Sequence, residues 1–179
     1  PISADTFLDD NLNASTLYFW TNTTPATGGA YPQNNFASYT KLGGVAAFGS
    51  AKIPNGTIQT GQGFYVQSTA YQDCFFRNTQ RVNASVSTQF FKLNQNPSEG
   101  HLYRLNFNDQ NVSYNQFLIG YTDGATDGVD NLIDGKMIDT SKPSMYSIIN
   151  QTQYVIQGKG LPFNEEDVIP LGYKVIDAG

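Results

Sequence analysis

The feature that most constrains this chain is a period of two within short apolar runs that are separated by turn residues. In the run 102–107, apolar and polar residues alternate, which is typical of a β-strand with one solvated face. Similar runs recur at short intervals: 16–21, 63–67, 74–76, 89–93, 116–121, 146–149, 154–157 and 172–176. This spacing predicts an all-β fold, an antiparallel β-sandwich of the jelly-roll-like kind.

Two segments depart from this pattern. Near the N-terminus, Ser3 can cap a short helix over residues 4–10, and Ile2 can pack against Phe7 across its first turn. Residues 23–63 are rich in Gly, Pro, Asn and Tyr, which predicts one long ordered loop with little regular structure. The predicted fold is therefore a β-sandwich with a short N-terminal helix and one long loop.

The length of the chain suits one core. With 179 residues, no fixed-period repeat and no break in composition, residues 1–179 are predicted to form a single domain. The chain opens on Pro1 rather than an initiator Met, and residues 175–179 follow the pattern of a strand entering a turn. We therefore expect the domain to be a fragment of a larger protein.

The distribution of charge argues against two classes of partner. Charged residues make up 14% of the chain, the net charge is -5, and the ten Lys and Arg residues are spread singly from Lys41 to Lys174. Nucleic acids and anionic membrane surfaces are bound by clustered cations. No run of eighteen apolar residues occurs either. The sequence predicts no nucleic-acid binding and no membrane insertion.

The residues that usually carry catalysis are few and poorly placed. His101 is the only His, and Cys74 lies in an apolar Cys-Phe-Phe run that predicts a buried, unreactive thiol. The only Glu residues are Glu99, Glu165 and Glu166, and the last two would point to opposite faces of an extended segment. We therefore predict that the chain is not an enzyme.

An acidic, Gly-rich run at 121–135 is the strongest local candidate for a metal site. Asp123, Asp127, Asp130 and Asp134 could supply carboxylate oxygens to Ca²⁺, which accepts six to eight ligands from irregular loops. The run lacks the acidic spacing and the terminal Glu of an EF-hand. The alternative is that Asp-Gly pairs simply make and cap tight turns.

Aromatic residues suggest a second kind of site. In the first predicted strand, Tyr18 and Trp20 share one face and Leu17 and Phe19 share the other, while Tyr31 lies in the long loop. Aromatic rings with nearby Asn and Gln side chains bind sugars by stacking and hydrogen bonding. This pattern makes Tyr18, Trp20 and Tyr31 candidate glycan-binding residues. The alternative is that these rings pack in the core or within the loop.

Several short sequence motifs, in order along nearly the whole chain, resemble those of a known family. They are TLYFWT at 16–21, IQTGQGFYV at 58–66, FRNTQRV at 76–82, the acidic run at 125–135, LPF at 161–163 and VIPLGY at 168–173. Together they resemble a module found near the C-terminal end of large secreted proteins of Flavobacterium-like Bacteroidota, the kind exported by the type IX system.

The resemblance implies a β-sandwich that lies upstream of a C-terminal sorting domain in a surface adhesin or a multidomain exoprotein. It implies export to the outer cell surface and no catalytic residues. We therefore expect a non-catalytic structural or adhesive module, with neighbouring domains or subunits of the same surface assembly as partners. Calcium at the four aspartates and glycans at the aromatic residues are further expectations.

Overall fold

The structure is built mainly of β-strands, which confirms the predicted all-β class. The computed structural model describes residues 1–21, 36–83, 101–108, 113–138 and 143–175, with only the backbone of residues 113 and 114. In these ranges the elements are β1 (Ile2–Ser3), α1 (Ala4–Asp10), β2 (Ala14–Trp20), β3 (Phe36–Thr40), β4 (Gly43–Val45), β5 (Thr57–Ile58), β6 (Tyr65–Ser68), a 3-10 turn (Asn78–Gln80), β7 (Leu102–Asn108), β8 (Ser113–Thr122), β9 (Gly135–Lys136), β10 (Ser144–Ile149), β11 (Thr152–Gly160) and β12 (Leu171–Lys174).

The short helix α1 spans the predicted residues 4–10 and is capped as expected. The Ser3 hydroxyl accepts a hydrogen bond from the Thr6 N–H at 3.2 Å. At the other end, the Asn11 side chain donates to the Phe7 carbonyl at 2.7 Å and accepts from the Phe75 N–H at 2.6 Å. The side chain of Asn11 thus ends the helix and holds a distant loop against it.

The first sheet is antiparallel and has the strand order β4-β3-β2-β6. Cross-strand partners share a face of a sheet, so the pairs Leu17 with Tyr39 and Phe19 with Ala37 lie on one side. This side packs against α1 in a buried core that includes Ala4, Phe7, Leu8, Leu17, Phe19, Ala37, Tyr39 and Ile58. The opposite, inner face of the sheet carries Tyr18 and Ser38 and turns toward the second sheet.

The second sheet forks at its central strand, β11. Tyr154 pairs with both β10 and β9, and Ile156 pairs with both β8 and β9. Because a strand has only two edges, β8 and β10 must follow one another along the same edge of β11, opposite β9. The Asn115 side chain of β8 bridges the fork, since it donates to the Met145 carbonyl at 2.7 Å and accepts from the Met145 N–H at 2.9 Å.

The outer strands extend the two branches of this fork. β7 pairs with β8 and β12 pairs with β10, both antiparallel, whereas β8 and β11 run parallel. A second buried core is formed by side chains of the forked sheet together with one residue of β4. It includes Val45, Phe117, Leu118, Ile119, Val155 and Ile156. The molecule is thus layered, with α1, the four-stranded sheet and the forked sheet in that order.

Most predicted strands are confirmed, and one is wrong. The runs 16–21, 63–67, 102–107, 116–121, 146–149, 154–157 and 172–176 overlap β2, β6, β7, β8, β10, β11 and β12, while 89–93 lies outside the described residues. Residues 74–76 form no strand, because the Asn11 side chain takes both the N–H and the carbonyl of Phe75. The predicted burial of Cys74 is also wrong, since its side chain is exposed.

The predicted long loop over 23–63 is wrong in its second half. β3, β4 and β5 all lie within it, whereas residues 22–35 are outside the described residues. These strands are two to five residues long and are flanked by Gly, Pro and Asn, so their own sequence carries little periodicity. Pairing fixes them instead: β3 pairs with β2, β4 with β3, and β5 with β1.

Candidate functional site

The acidic segment, residues 123–136, enters the space between the two sheets. Three hydroxyl groups on the inner face of the four-stranded sheet donate to its main-chain carbonyls. The pairs are Thr40 with Ile133 at 2.7 Å, Thr16 with Asp134 at 3.4 Å and Tyr18 with Lys136 at 2.8 Å. In addition, the Lys41 N–H donates to the Leu132 carbonyl at 2.8 Å. The polar inner face of the sheet is therefore matched to the backbone of this segment.

Asp134 holds the same segment to the forked sheet. Its side chain is 3% exposed, and its two oxygens accept from the Gly158 N–H at 2.7 Å and the Asp130 N–H at 2.6 Å. Burial raises the pKa of Asp134 from 3.8 to about 6, although the two N–H groups act in the opposite direction. Asp134 thus joins β11 to the acidic segment.

Asp130 and Asp127 have separate partners, and Asp123 is exposed. The Asp130 carboxylate accepts from the Thr126 N–H at 2.5 Å and from its hydroxyl at 3.0 Å, which closes a small turn. Asp127 forms an ion pair with Lys159, whose side chain is buried while that of Asp127 is exposed. Asp123 is exposed and comes just before Gly124, which adopts a positive φ of 81°.

These positions bear on the predicted calcium site. Within the described residues, which include all four aspartates, the structure has no group of three or more His, Cys, Asp or Glu side chains that could hold a metal. The hydrogen bonds of Asp130 and Asp134 instead match the alternative interpretation, in which Asp side chains cap turns. Calcium binding stays a prediction.

Two glycines of β11 make room for the acidic segment. A Cβ atom at Gly158 would lie 2.3 Å from Ile133 Cγ2, and one at Gly160 would lie 2.8 Å from the Ala125 carbonyl oxygen. Both distances are too short for any other residue unless the Ile133 side chain or the backbone at Ala125 moves. These two positions were not predicted, although a Gly-Lys-Gly run inside a strand indicates a close approach of another part of the backbone.

The predicted aromatic residues separate into buried and exposed ones. Tyr18 is 2% exposed, so its predicted role as an exposed ring that contacts sugar is wrong. The acidic segment covers it, and its hydroxyl bonds to the carbonyl of Lys136. Trp20 is 47% exposed, as a binding residue must be. Tyr31 lies outside the described residues.

Trp20 has aromatic neighbours that extend the exposed area. Phe36 is its cross-strand partner in β3, and Tyr65 in β6 is 65% exposed. The rings of Phe36 and Tyr65 meet edge to face, with centroids 5.5 Å apart. We refer to Trp20, Phe36 and Tyr65 as the aromatic surface. Tyr65 was not predicted as a member, because its place beside β2 depends on the order of strands in the sheet.

A second group of rings lies on the forked sheet. Phe163 packs against His101 at 4.4 Å, Tyr121 at 4.9 Å and Tyr103 at 6.1 Å between centroids. We refer to His101, Tyr103, Tyr121 and Phe163 as the aromatic cluster. No local pattern predicts this cluster, since its members come from three separate segments of the chain. His101, the sole candidate for imidazole catalysis, is held here by ring packing.

Residues 1–179 match a family model whose description is a domain of unknown function. The chain belongs to the DUF8693 family. No curated protein and no solved structure matches this DUF8693 chain. In the part of it that the structure describes, no helix is both long enough and apolar enough to span a bilayer.

The raised pKa of Asp134 predicts how the stability of this DUF8693 domain depends on pH. Between about pH 4 and pH 6 the folded state keeps the Asp134 proton while the unfolded state loses it, so this group lowers the free energy of unfolding as pH rises through that range. Asp134→Asn should remove this contribution. The substitution should also lower the free energy of unfolding by about 1–3 kcal/mol, because one main-chain N–H then faces the NH2 group of the Asn side chain.

Urea unfolding at pH 4, 5, 6 and 7 of the wild type and Asp134→Asn measures both effects. Asp123→Asn is the matched control, since Asp123 is exposed, and it should retain the wild-type dependence on pH. If the free energy of unfolding of Asp134→Asn changed with pH as steeply as that of the wild type, Asp134 would not be the group responsible.

The calcium prediction has its own test on the DUF8693 domain. If Ca²⁺ binds at Asp123, Asp127, Asp130 and Asp134, EDTA should lower the melting temperature and added Ca²⁺ should restore it, because an ion that binds only the folded state stabilises it. Differential scanning calorimetry measures the shift. A melting temperature that changes neither with EDTA nor with added Ca²⁺ would contradict the prediction.

Proposed function

We propose that this chain is a non-catalytic structural or adhesive module of a bacterial secreted or cell-surface protein. The observation that carries the proposal is the use made of the acidic segment. The carboxylates of Asp134 and Asp130 accept hydrogen bonds from main-chain N–H groups, and Asp127 forms an ion pair with Lys159. Residues of the types that catalysis would need thus shape the acidic segment and fasten it to β11.

The exposed surface supports a role in contacts with other molecules. Large apolar side chains are exposed in the outer strands β7 and β12 of the forked sheet and along residues 71–76. Such surfaces suit packing against neighbouring domains or subunits of one assembly. The resemblance to modules exported by the type IX system supports a place at the outer cell surface. Calcium at the acidic segment would add stability to such a module.

Surface location can be tested on intact cells that produce the native parent protein. An antibody raised against residues 1–179 should label these cells, and external protease should remove the label while a cytoplasmic marker is preserved. A label that appears only after lysis would contradict the proposal.

The same strain can separate a structural role from an adhesive one. In-frame deletion of residues 1–179 should reduce either the surface level of the parent protein or attachment of the cells. Replacement by an unrelated β-sandwich of similar length should restore a purely structural role but not an adhesive one. A deletion that changes neither quantity would count against both.

The aromatic surface favours carbohydrate binding as a second candidate function. Trp20 and Tyr65 are 47% and 65% exposed, and Phe36 joins them across the sheet. Rings held on neighbouring strands need no ordering when a sugar stacks on them, so little conformational entropy is lost on binding. This version of the site replaces Tyr18 with Tyr65.

Substitution at the aromatic surface tests the carbohydrate candidate. On a glycan array or in affinity electrophoresis with soluble polysaccharides, Trp20→Ala should weaken any binding roughly two- to tenfold, the range expected for loss of one stacked ring. Tyr71→Ala is the matched control, because Tyr71 is fully exposed and lies outside the sheets. Equal losses in both variants, or no binding by the wild type, would rule the site out.

A further inference from the structure

The segment 161–170, which we call the strap, follows β11 and crosses the outer face of the forked sheet. Strand pairing fixes which side chains lie on that face. Tyr103 pairs with Ile119, Ile119 with Gln157, and Tyr121 with Lys159, so all of them point away from the side on which Gly158 meets the acidic segment. Phe163 of the strap packs on Tyr121 at 4.9 Å. The strap therefore covers part of this face and completes the aromatic cluster.

The strap brings negative charge to the aromatic cluster. Glu165 and Glu166 are exposed. Burial raises the pKa of Tyr121, and the nearby Asp167 carboxylate raises it further. The ion pairs among the described residues join Lys41 with Asp9, Arg77 with Asp10 and Lys159 with Asp127. None of these pairs neutralises the three carboxylates of the strap.

Gln157 adds a buried acceptor without a partner to the same face. Its side chain is 4% exposed, and its Oε1 atom is buried with no hydrogen-bond partner in the described structure. An amide oxygen without a donor carries an uncompensated desolvation cost, which buried polar groups rarely sustain. Gln157 lies diagonally across from Tyr121, next to the ring that Phe163 covers. The position calls for a hydrogen-bond donor.

These groups share one chemical property. The strap carboxylates, the Gln157 oxygen and the faces of the aromatic rings all attract hydrogen-bond donors and positive charge. Tyr103 is 43% exposed and presents its ring beside Phe163. We propose that the aromatic cluster and the strap form a binding site for a lysine or arginine side chain of a partner protein.

A cationic side chain would use every part of the site. Its charge would lie near Glu165 and Glu166, its apolar stem would pack on Tyr103 and Phe163, and an N–H group would reach toward the Gln157 oxygen. The net charge of -5 would favour the approach of a basic partner. The site uses different residues from the aromatic surface, so either one can exist without the other.

Binding can be measured with a defined probe. The probe is a blocked pentapeptide that carries two arginines, and its counterpart carries two citrullines, which keep the shape and remove the charge. Titrations followed by NMR on the full chain should show binding of the arginine peptide that weakens with added salt, with shifts at Tyr103, Phe163 and the Gln157 amide. The citrulline peptide should bind at least roughly fivefold more weakly.

Three variants test the residues. Glu166→Gln and Tyr103→Ala should each weaken binding several-fold, whereas Asp73→Asn and Tyr71→Ala, which make the same changes at exposed positions elsewhere, should not. Gln157→Leu should weaken binding while it keeps or raises the melting temperature, because it removes a buried acceptor that has no partner.

Several results would overturn the proposal. Equal binding of the arginine and citrulline peptides would show that charge is not recognised. Equal losses in Glu166→Gln and Asp73→Asn would show only general attraction to an acidic protein. Shifts at the same residues with a neutral oligosaccharide, and none with the arginine peptide, would assign the site to glycans instead.

Discussion

A single buried carboxylate, Asp134, connects the layers of this molecule. It accepts one N–H from β11 and another from Asp130, while the main-chain carbonyls around it accept hydroxyls from the four-stranded sheet. Burial of a carboxylate is costly unless donors surround it, and here one main-chain N–H comes from the forked sheet and the other from the acidic segment. The inner face of the first sheet can therefore be polar, with Thr16, Ser38 and Thr40 buried where a sandwich ordinarily places apolar residues.

The sequence was sufficient for features that depend on local chemistry. The Ser3 cap determines where α1 begins, and the alternation in β7 and β8 marks both as strands. The short strands β3 to β5 could not be predicted, because pairing rather than periodicity stabilises them. Tyr18 was assigned to the wrong environment for a related reason: both faces of β2 are buried, so alternation along that strand does not distinguish core from solvent.

Prediction of the candidate sites had a similar limit. The acidic run was recognisable as an unusual segment, but its sequence allowed both a metal loop and a set of turns. The choice depends on where Gly158 lies, since its N–H is the partner of Asp134. The aromatic cluster could not be predicted, because His101, Tyr121 and Phe163 are far apart in sequence and meet only where β7 pairs with β8 and β8 pairs with β11.

The contact between Thr16 and Asp134 also constrains how the chain folds. It joins residues that are 118 positions apart, and it satisfies a hydroxyl on a sheet whose strands all come from the first 68 residues. During synthesis that sheet is made long before the segment that covers its polar face, and Gly158 follows later still. Such non-local contacts slow folding and favour late, cooperative assembly. The N-terminal part thus gains its final stability only when the chain has emerged as far as β11.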